Sequence, residues 1–363
     1  MSGPSSTRTV HRTANEAGVG RLFHASSPNP NGLVTSKSRQ HPSPSSARTA
    51  GNSRGEPISA SGSKTNVTLQ GRSLSLSNLE KVLYPKVGFT KGQVIDYYAR
   101  IAKVLLPHLK DRPLTLKRYP NGVEGEFFYE KRCPSFRPPW VKTAPIWSDR
   151  QQEEISFCLA NNLPTLIWAA NLADLELHTS LARYRNPQRP TVMVFDLDPG
   201  PGADIIHCAE AALWLRGFLT SNDLDCYPKT SGSKGMQLYV PLNTAVTFEQ
   251  TKGFARHAAE AMTAKYPDRV LYRMEKNLRK NKVFIDWSQN DDHKTTVCAY
   301  SLRARERPTV STPLEWEEVE NAARKRDSSR LDFDSDAVLR RVEKSRDLFE
   351  PVLTLKQKLP RLG

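Results

Sequence analysis

The stretch Thr191 to Pro199, Thr-Val-Met-Val-Phe-Asp-Leu-Asp-Pro, is an apolar run that ends in two aspartates one residue apart. Val192, Val194 and Phe195 favour a buried strand, and the strand period of two puts Asp196 and Asp198 on one face and Leu197 on the other. Two carboxylates a few Å apart repel by about 4 kcal/mol at an effective dielectric near 20, and a divalent cation is the simplest compensation. Pro199-Gly200-Pro201-Gly202 breaks the strand at once and leaves the acids at its carboxyl end, where open sheets usually place ligands. The same spacing also suits a strand-end turn whose acids face solvent or cap the next helix. A third acid, Asp286, is embedded in Val283-Phe284-Ile285-Asp286-Trp287, and an unpaired carboxylate in a buried strand is costly. Asp196, Asp198 and Asp286 together suffice to hold two divalent metals about 3.5 to 4 Å apart, with Arg303 and Arg305 expected nearby on the next strand.

Three other stretches carry groups suited to nucleotides or nucleic acid. Lys229-Thr230-Ser231-Gly232-Ser233-Lys234-Gly235 offers hydroxyls, N–H groups and ammonium to phosphate, although a hairpin loop has the same composition. It is not a Walker A loop, because a strand follows where a helix is required. Phe127-Phe128-Tyr129-Glu130-Lys131-Arg132 runs aromatics into bases, which reads either as a stacking platform or as an apolar strand with a solvated end. Leu175-Glu176-Leu177-His178-Thr179 alternates as a half-buried strand that places His178 opposite Leu177.

These groups need a scaffold, and the pattern supplies one. Thr90-Lys91-Gly92-Gln93 is a capping box, followed by Val94, Tyr97, Tyr98, Ile101, Val104 and Leu105 at helical spacing, which predicts a helix of about 15 residues. Leu114 to Tyr119 predicts a strand that carries Lys117 and Arg118 into a turn. Glu154 to Leu159 predicts another strand, and Pro164 to Leu172 a short helix. Ala203 to Leu219 and Thr247 to Tyr266 predict longer helices, and Asp334 to Phe349 a terminal one.

The net charge is +15. Residues 1–70 hold eight basic and two acidic residues, one aromatic (Phe23) and much Ser, Pro, Gly and Asn, so that segment is expected to be a disordered tail. The remaining +9 points to a polyanionic partner, most commonly nucleic acid. The five cysteines are widely spaced without C-x-x-C, so neither a disulfide framework nor a zinc site is expected, and a reducing, cytoplasmic setting fits. No membrane partner is expected, because no apolar run reaches the length of a span.

Taken together, the motifs resemble the polymerase domain of bacterial ligase D, a branch of the archaeo-eukaryotic primase superfamily that acts in non-homologous end joining. The resemblance covers roughly residues 74–350. It rests on Leu-Glu-Lys-Val-Leu-Tyr-Pro at 79–85, Thr-Lys-Gly at 90–92, Lys-Arg-Tyr-Pro-Asn-Gly at 117–122, Phe-Asp-Leu-Asp-Pro at 195–199, Thr-Ser-Gly-Ser-Lys-Gly at 230–235, Asp-Trp-Ser-Gln-Asn at 286–290 and Tyr-Ser-Leu-Arg-Ala-Arg at 300–305. It implies that Asp196, Asp198 and Asp286 are catalytic, metal-binding carboxylates for two Mn²⁺ or Mg²⁺ ions. His178, Ser231, Lys234 and Arg279 would hold the nucleoside triphosphate, and Arg303 and Arg305 match further active-site bases. Lys81 and Lys91 match lysines for a downstream 5'-phosphate, Phe128 and Tyr129 match an aromatic pair near the template, and Lys117 is assigned to DNA contact. Met236 and Gln237 depart from the pattern, in which a leucine and a histidine are expected, so that histidine's role does not carry over.

The expected fold is α+β, with a central, mostly antiparallel sheet bearing the three acids and flanked by helices. The domain is expected at 71–350, with tails at 1–70 and 351–363 and no ligase domain following. The expected function is template-directed nucleotidyl transfer at gaps and ends of DNA with a 5'-phosphate, ribonucleotides preferred. A separate ligase and an end-binding protein would be partners. The alternatives are a catalytically weak end-binding platform and, less favoured, a metal-dependent nuclease using the same acids.

Overall fold

The computed structural model describes residues 64–149 and 151–361. The described residues open with a hairpin of β1 (Lys64–Leu69) and β2 (Arg72–Ser77), then a smaller one of β3 (Val82–Tyr84) and β4 (Phe89–Thr90), which leads into α1 (Lys91–Leu109). β5 (Leu114–Arg118), β6 (Phe128–Glu130), β7 (Thr143–Ser148), β8 (Glu153–Cys158), α2 (Leu163–Asn171), β9 (Asp174–Thr179) and β10 (Val192–Pro199) follow. Then come α3 (Ile205–Thr220), β11 (Tyr227–Thr230), β12 (Met236–Pro241), α4 (Phe248–Lys265), β13 (Val270–Leu271), β14 (Val283–Asp286) and β15 (Thr296–Val297). Three helices close the chain: α5 (Trp316–Lys325), α6 (Ser335–Ser345) and α7 (Glu350–Thr354).

The architecture is α+β as expected, and the mostly antiparallel sheet that bears the three acids is joined by a second sheet. One has the order β11-β12-β10-β14-β13, and the other β15-β9-β5-β8-β7 with β6 also paired to β5. All their pairings are antiparallel except β13 with β14. The period of two explains why the first sheet has one dry face. Met193, Phe195 and Leu197 of β10, Met236, Leu238 and Val240 of β12, and Val283 and Ile285 of β14 are buried in one core with α3 and α4. Burying such a side chain contributes roughly 1.5–3 kcal/mol, so a one-residue register slip would exchange the dry face for the acids. Both long helices on that core start with complete capping boxes, at Asp204 and Thr247, and α1 starts with another at Thr90.

Four expectations need correction. The predicted boundary at residue 70 cuts the first hairpin, since Lys64–Leu69 pairs with Arg72–Ser77 and β2 buries Leu74 and Leu76; the rest of the expected tail, residues 1–63, lies outside the described residues. Residues 351–361 are not a free tail. Val352 is buried, Gln357 donates its backbone N–H to Leu242 O at 2.9 Å, and Asn243 Nδ2 donates to Leu355 O at 2.7 Å. Arg303 and Arg305 do not lie on a strand, because Tyr300 takes a left-handed backbone (φ 65°) that interrupts the extended run. Finally, Cys133 and Cys158 form a disulfide, with Cα atoms 4.9 Å apart across the contact where Cys133 N–H donates to Ser156 O; spacing in sequence gave no sign of this approach. Cys208, Cys226 and Cys298 are free and buried. Among the described residues no helix is long and apolar enough to cross a membrane.

Candidate active site

Asp196 and Asp286 are direct cross-strand partners on β10 and β14, and Asp198 lies two residues along β10 on the same face. Gln237 of β12 faces Asp196 from the other side, and Lys229 of β11 faces Gln237. Lys229, Gln237, Asp196 and Asp286 therefore form one polar row across four strands. Burial first, then the charges of Asp198 and Asp286, push the Asp196 carboxyl up to about 7, while the Gln237 amide and Lys229 act the other way. Asp198 is also raised, by burial and by Asp286, with Arg279 and Arg303 opposing. Asp286 Oδ1 accepts from Ser288 N at 2.9 Å and Ser288 Oγ, and its Oδ2 from Gln289 Nε2 at 3.0 Å. Asn290, fully buried, clamps Val194 from both sides of its peptide unit and so fixes the strand beneath the acids. Two close backbone approaches depend on glycine: a Cβ on Gly200 would lie 1.8 Å from Arg279 O, and one on Gly235 would lie 2.0 Å from Leu197 O.

The cations come partly from the second sheet and partly from loops: Lys117 and His178 lie on that sheet, Lys234 lies in the loop between β11 and β12 of the first sheet, and Arg303 follows β15. His178 of β9, Ser231, Lys234 and Arg303 line a cleft of about 260 Å³ together with Asp196, Asp198 and Gln237. Their organiser is Glu176, which sequence reasoning passed over. It is 2% exposed, and its carboxylate meets Lys117 Nζ at 3.1 Å, His178 Nε2 at 3.0 Å and the Ala304 N–H at 3.0 Å. Arg303 Nε stands 3.3 Å away, at ion-pair distance but without hydrogen-bond alignment. Burial pushes this carboxyl up, yet the His178 bond and the charges of Arg303, His178 and Lys117 prevail and hold it well below the usual carboxylate range. His178 is lowered, by burial first and by Arg303 and Lys117, against the pull of its bond to Glu176. The signal in the sequence was there: Asp174, Glu176 and His178 share one face of the strand at i, i+2, i+4, alternating with Leu175 and Leu177.

The loop after β11 is shaped as a cradle. Ser231 Oγ accepts from the N–H groups of Ser233 and Gly235, both at 3.2 Å, and Arg303 NH1 donates to Ser231 O. Ser231 Oγ, with its acceptor capacity engaged, keeps its O–H free to donate. Lys229 sits behind the loop, fully buried; its ammonium donates to Ser311 Oγ, and burial lowers it to about 7 against the pull of Asp196.

The other expected site residues are distributed differently. Arg279 stays outside the cleft, packed 3.8 Å from the centre of the Phe284 ring, where its charge reaches Asp198. Arg305 lines a larger neighbouring groove of about 1000 Å³ that shares Ser233 and Lys234 with the cleft. Lys117 is engaged rather than presented, ion-paired to Glu176 and 4.7 Å from the Phe127 ring centre. Phe128 and Tyr129 are exposed but alternate on β6: Tyr129 sits edge-on to Phe127 and His178, and Phe128 takes the opposite face. Lys81 and Lys91 are brought together, since Lys91 N–H donates to Lys81 O and Gly92 N–H to Leu79 O, both at 2.8 Å. Lys91 Nζ donates to Ser77 O at 2.7 Å, and burial, then Lys81, lower it to about 8.

The donor set fits hard divalent cations: oxygen ligands on adjacent strands, repelling carboxylates, and a buried Gln237 Oε1 in the same row that has no hydrogen-bond partner. Among the described residues the tightest ligand trio lies elsewhere, in Asp291, Asp292 and His293 within 4.8 Å, but Lys252 neutralises Asp291 at 2.6 Å.

A family model described as LigD, primase-polymerase domain, matches residues 90–349. The multifunctional non-homologous end joining protein LigD of Mycolicibacterium smegmatis is 41% identical over 279 residues, covering 76% of this chain and 36% of that protein. The bifunctional LigD of Bacillus subtilis is 35% identical over 252 residues, 69% of this chain and 40% of that one. The chain thus spans about a third to two fifths of the length of these relatives. The polymerase domain from Mycobacterium tuberculosis ligase D, solved in complex with DNA, superposes with a TM-score of 0.72 at 36% identity, over 78% of this chain and 99% of that one.

Proposed function

Since this chain belongs to the ligase D primase-polymerase family, we propose that it is a template-directed nucleotidyltransferase that extends a primer 3'-hydroxyl across gaps and at broken ends of DNA, as a step of non-homologous end joining. The observation that carries this reading is a cleft in which the carboxylates of Asp196 and Asp198, with Asp286 paired beside Asp196 on the neighbouring strand, face Lys234, Arg303, Ser231 and His178. Acids alone would suit a nuclease; acids opposite a phosphate-sized cradle with an ammonium and a guanidinium suit a triphosphate.

Asp196, Asp198 and Asp286 would hold the two divalent ions, which when bound would activate the 3'-hydroxyl and neutralise the triphosphate. The chain's own residues do the positioning. Lys234 and the Ser231–Gly235 loop receive the phosphates, and Arg303 is kept on the loop by Ser231 O and beside the cleft by Glu176. Glu176 also fixes the His178 tautomer, which leaves Nδ1 as an acceptor for a sugar hydroxyl. The free O–H of Ser231 supports a preference for ribonucleotides, because only these carry a 2'-hydroxyl to receive it. The paired Lys81 and Lys91 at the start of α1 support recognition of a downstream 5'-phosphate, helped by the helix dipole.

Extension of a primer on gapped DNA, with rNTP against dNTP and Mn²⁺ against Mg²⁺, tests the proposal. Templated addition by the unmodified protein is expected, and its loss in Asp286→Ala. Tight DNA binding with no extension under any combination would replace this reading with the end-binding platform, which Gln237, standing where the family's pattern has a histidine, favours.

A further inference from the structure

A second basic groove lies at the opposite end of β10 from the acids. One wall is the connection between β9 and β10, with Arg183, Arg189 and Thr191; the other is the turn after β12, Asn243 and Thr244, with Lys356 beyond α7. Its volume is about 460 Å³ and no acidic or aromatic residue lines it. None of Arg183, Arg189 and Lys356 has an ion-pair partner among the described residues. The larger groove beside the active site is mixed in this respect: its Lys86 pairs with Glu306 and its Arg307 with Asp332, while acids also line it at Asp204, Glu306 and Asp332.

Beneath the groove is a buried cation with no carboxylate. Arg112, 7% exposed, donates to Leu181 O at 2.6 Å, Ser180 O at 3.3 Å and Thr191 Oγ1 at 2.6 Å, all neutral acceptors. A buried guanidinium is costly unless an anion compensates it, and Thr191 connects this one to the groove wall. The charge of Arg183 adds to the same deficit and, after burial, helps lower Arg112 to about 10. The walls are rigid: Asn243 Nδ2 donates to Val352 O and Leu355 O, Thr244 Oγ1 to Gln357 O, and Arg189 N–H to Asn186 O.

We infer that this groove is a second DNA-backbone site, which grips phosphates of the duplex away from the reacting end; the inference rests on the polymerase reading above. Thr191 and Asp196 are five residues apart along an extended strand, about 17 Å, so the groove meets DNA about five base pairs or more from the acids. Unpaired cations and small polar side chains suit a sugar-phosphate backbone. The lining has no aromatic residue and few apolar ones (Pro190, Ala245 and Leu353), so it offers little of the anchoring that an acidic peptide would need.

The test uses the full chain and gapped DNA with arms of about 20 base pairs, read by fluorescence anisotropy across a salt series. The triple substitution Arg183→Gln, Arg189→Gln, Lys356→Gln is expected to reduce the slope of log K against log salt by about 2 to 3 and to weaken binding on the order of tenfold at about 150 mM salt. Extension at saturating DNA should be unchanged. Arg183→Lys, Arg189→Lys, Lys356→Arg should keep the original slope, which separates charge from folding. An unchanged slope in the glutamine variant overturns the inference. So does a polyglutamate peptide that binds the unmodified protein but not this variant while the DNA slope stays put, which would assign the groove to an acidic protein. If the slope falls yet the unmodified protein never extends a primer, the groove assignment stands and the polymerase reading fails.

Discussion

Glu176→Gln keeps the shape of the side chain and removes one buried charge on which Lys117, His178 and Arg303 converge. Removing one partner of a buried ion pair costs about 3–5 kcal/mol, because the remaining charge stays buried without compensation. With Lys117 and Arg303 both losing their counter-ion, the variant is expected near the upper part of that range, a fall in Tm of roughly 8–10 °C at about 2 °C per kcal/mol. The pH dependence is the stricter test. The Glu176 carboxyl is held below its ordinary value in the fold, so its contribution is fully present above the unfolded pKa of about 4.3 and is lost as pH falls toward the folded one. Urea denaturation of both proteins from pH 7 to pH 3 should show a constant gap above about pH 5 that narrows by about 1.4 kcal/mol per unit below about pH 4. A gap that stays flat down to pH 3, or a Tm within 1 °C of the original, would refute the role of Glu176 as the charged organiser of the cleft.

Asp196→Ala or Asp286→Ala should lower extension by on the order of 10³ and leave gapped-DNA affinity nearly intact; retained extension removes the carboxylates from catalysis. Ser231→Ala should narrow the ratio of kcat/KM for ATP over dATP, and a ratio already near one in the unmodified protein would contradict the ribose assignment. Gapped DNA with a 5'-phosphate should bind several-fold tighter than the 5'-hydroxyl form, an advantage that Lys81→Ala with Lys91→Ala abolishes. Because free Lys91 is lowered to about 8 and a bound phosphate favours its charged form, that advantage should be full below pH 8 and decline above it; pH-independent discrimination between pH 7 and pH 9.5 would sink the site. Truncation after Glu350 should destabilise the protein by about 2–4 kcal/mol in denaturant, through loss of the buried Val352 and of the bonds from Asn243 Nδ2 to Leu355 O and from Gln357 Nε2 to Pro241 O. An unchanged denaturation midpoint would show the segment to be a dispensable tail.

What the sequence determined by itself is what local patterning controls. The capping boxes at Thr90 and Thr247 and the apolar spacing behind them placed α1 and α4 to within a few residues, because capping and the helical period are properties of adjacent side chains. The period of two put Asp196 and Asp198 on one face of a strand, and the order of the motifs was enough to recognise the family. Only the tertiary structure decided which strands are neighbours. That Asp196 lies opposite both Asp286 and Gln237, that Lys229 completes the row, and that Glu176 of the other sheet holds Arg303 beside the cleft are matters of contact between segments up to 127 residues apart, counted from Glu176 to Arg303. The Cys133–Cys158 bond, the withdrawal of Lys117 into the site of Glu176, and the docking of residues 351–361 have the same origin. Each depends on burial and on charges that meet across the fold, and neither has a local signature: the free energy that selects those contacts exists only once the surrounding chain has excluded water from them.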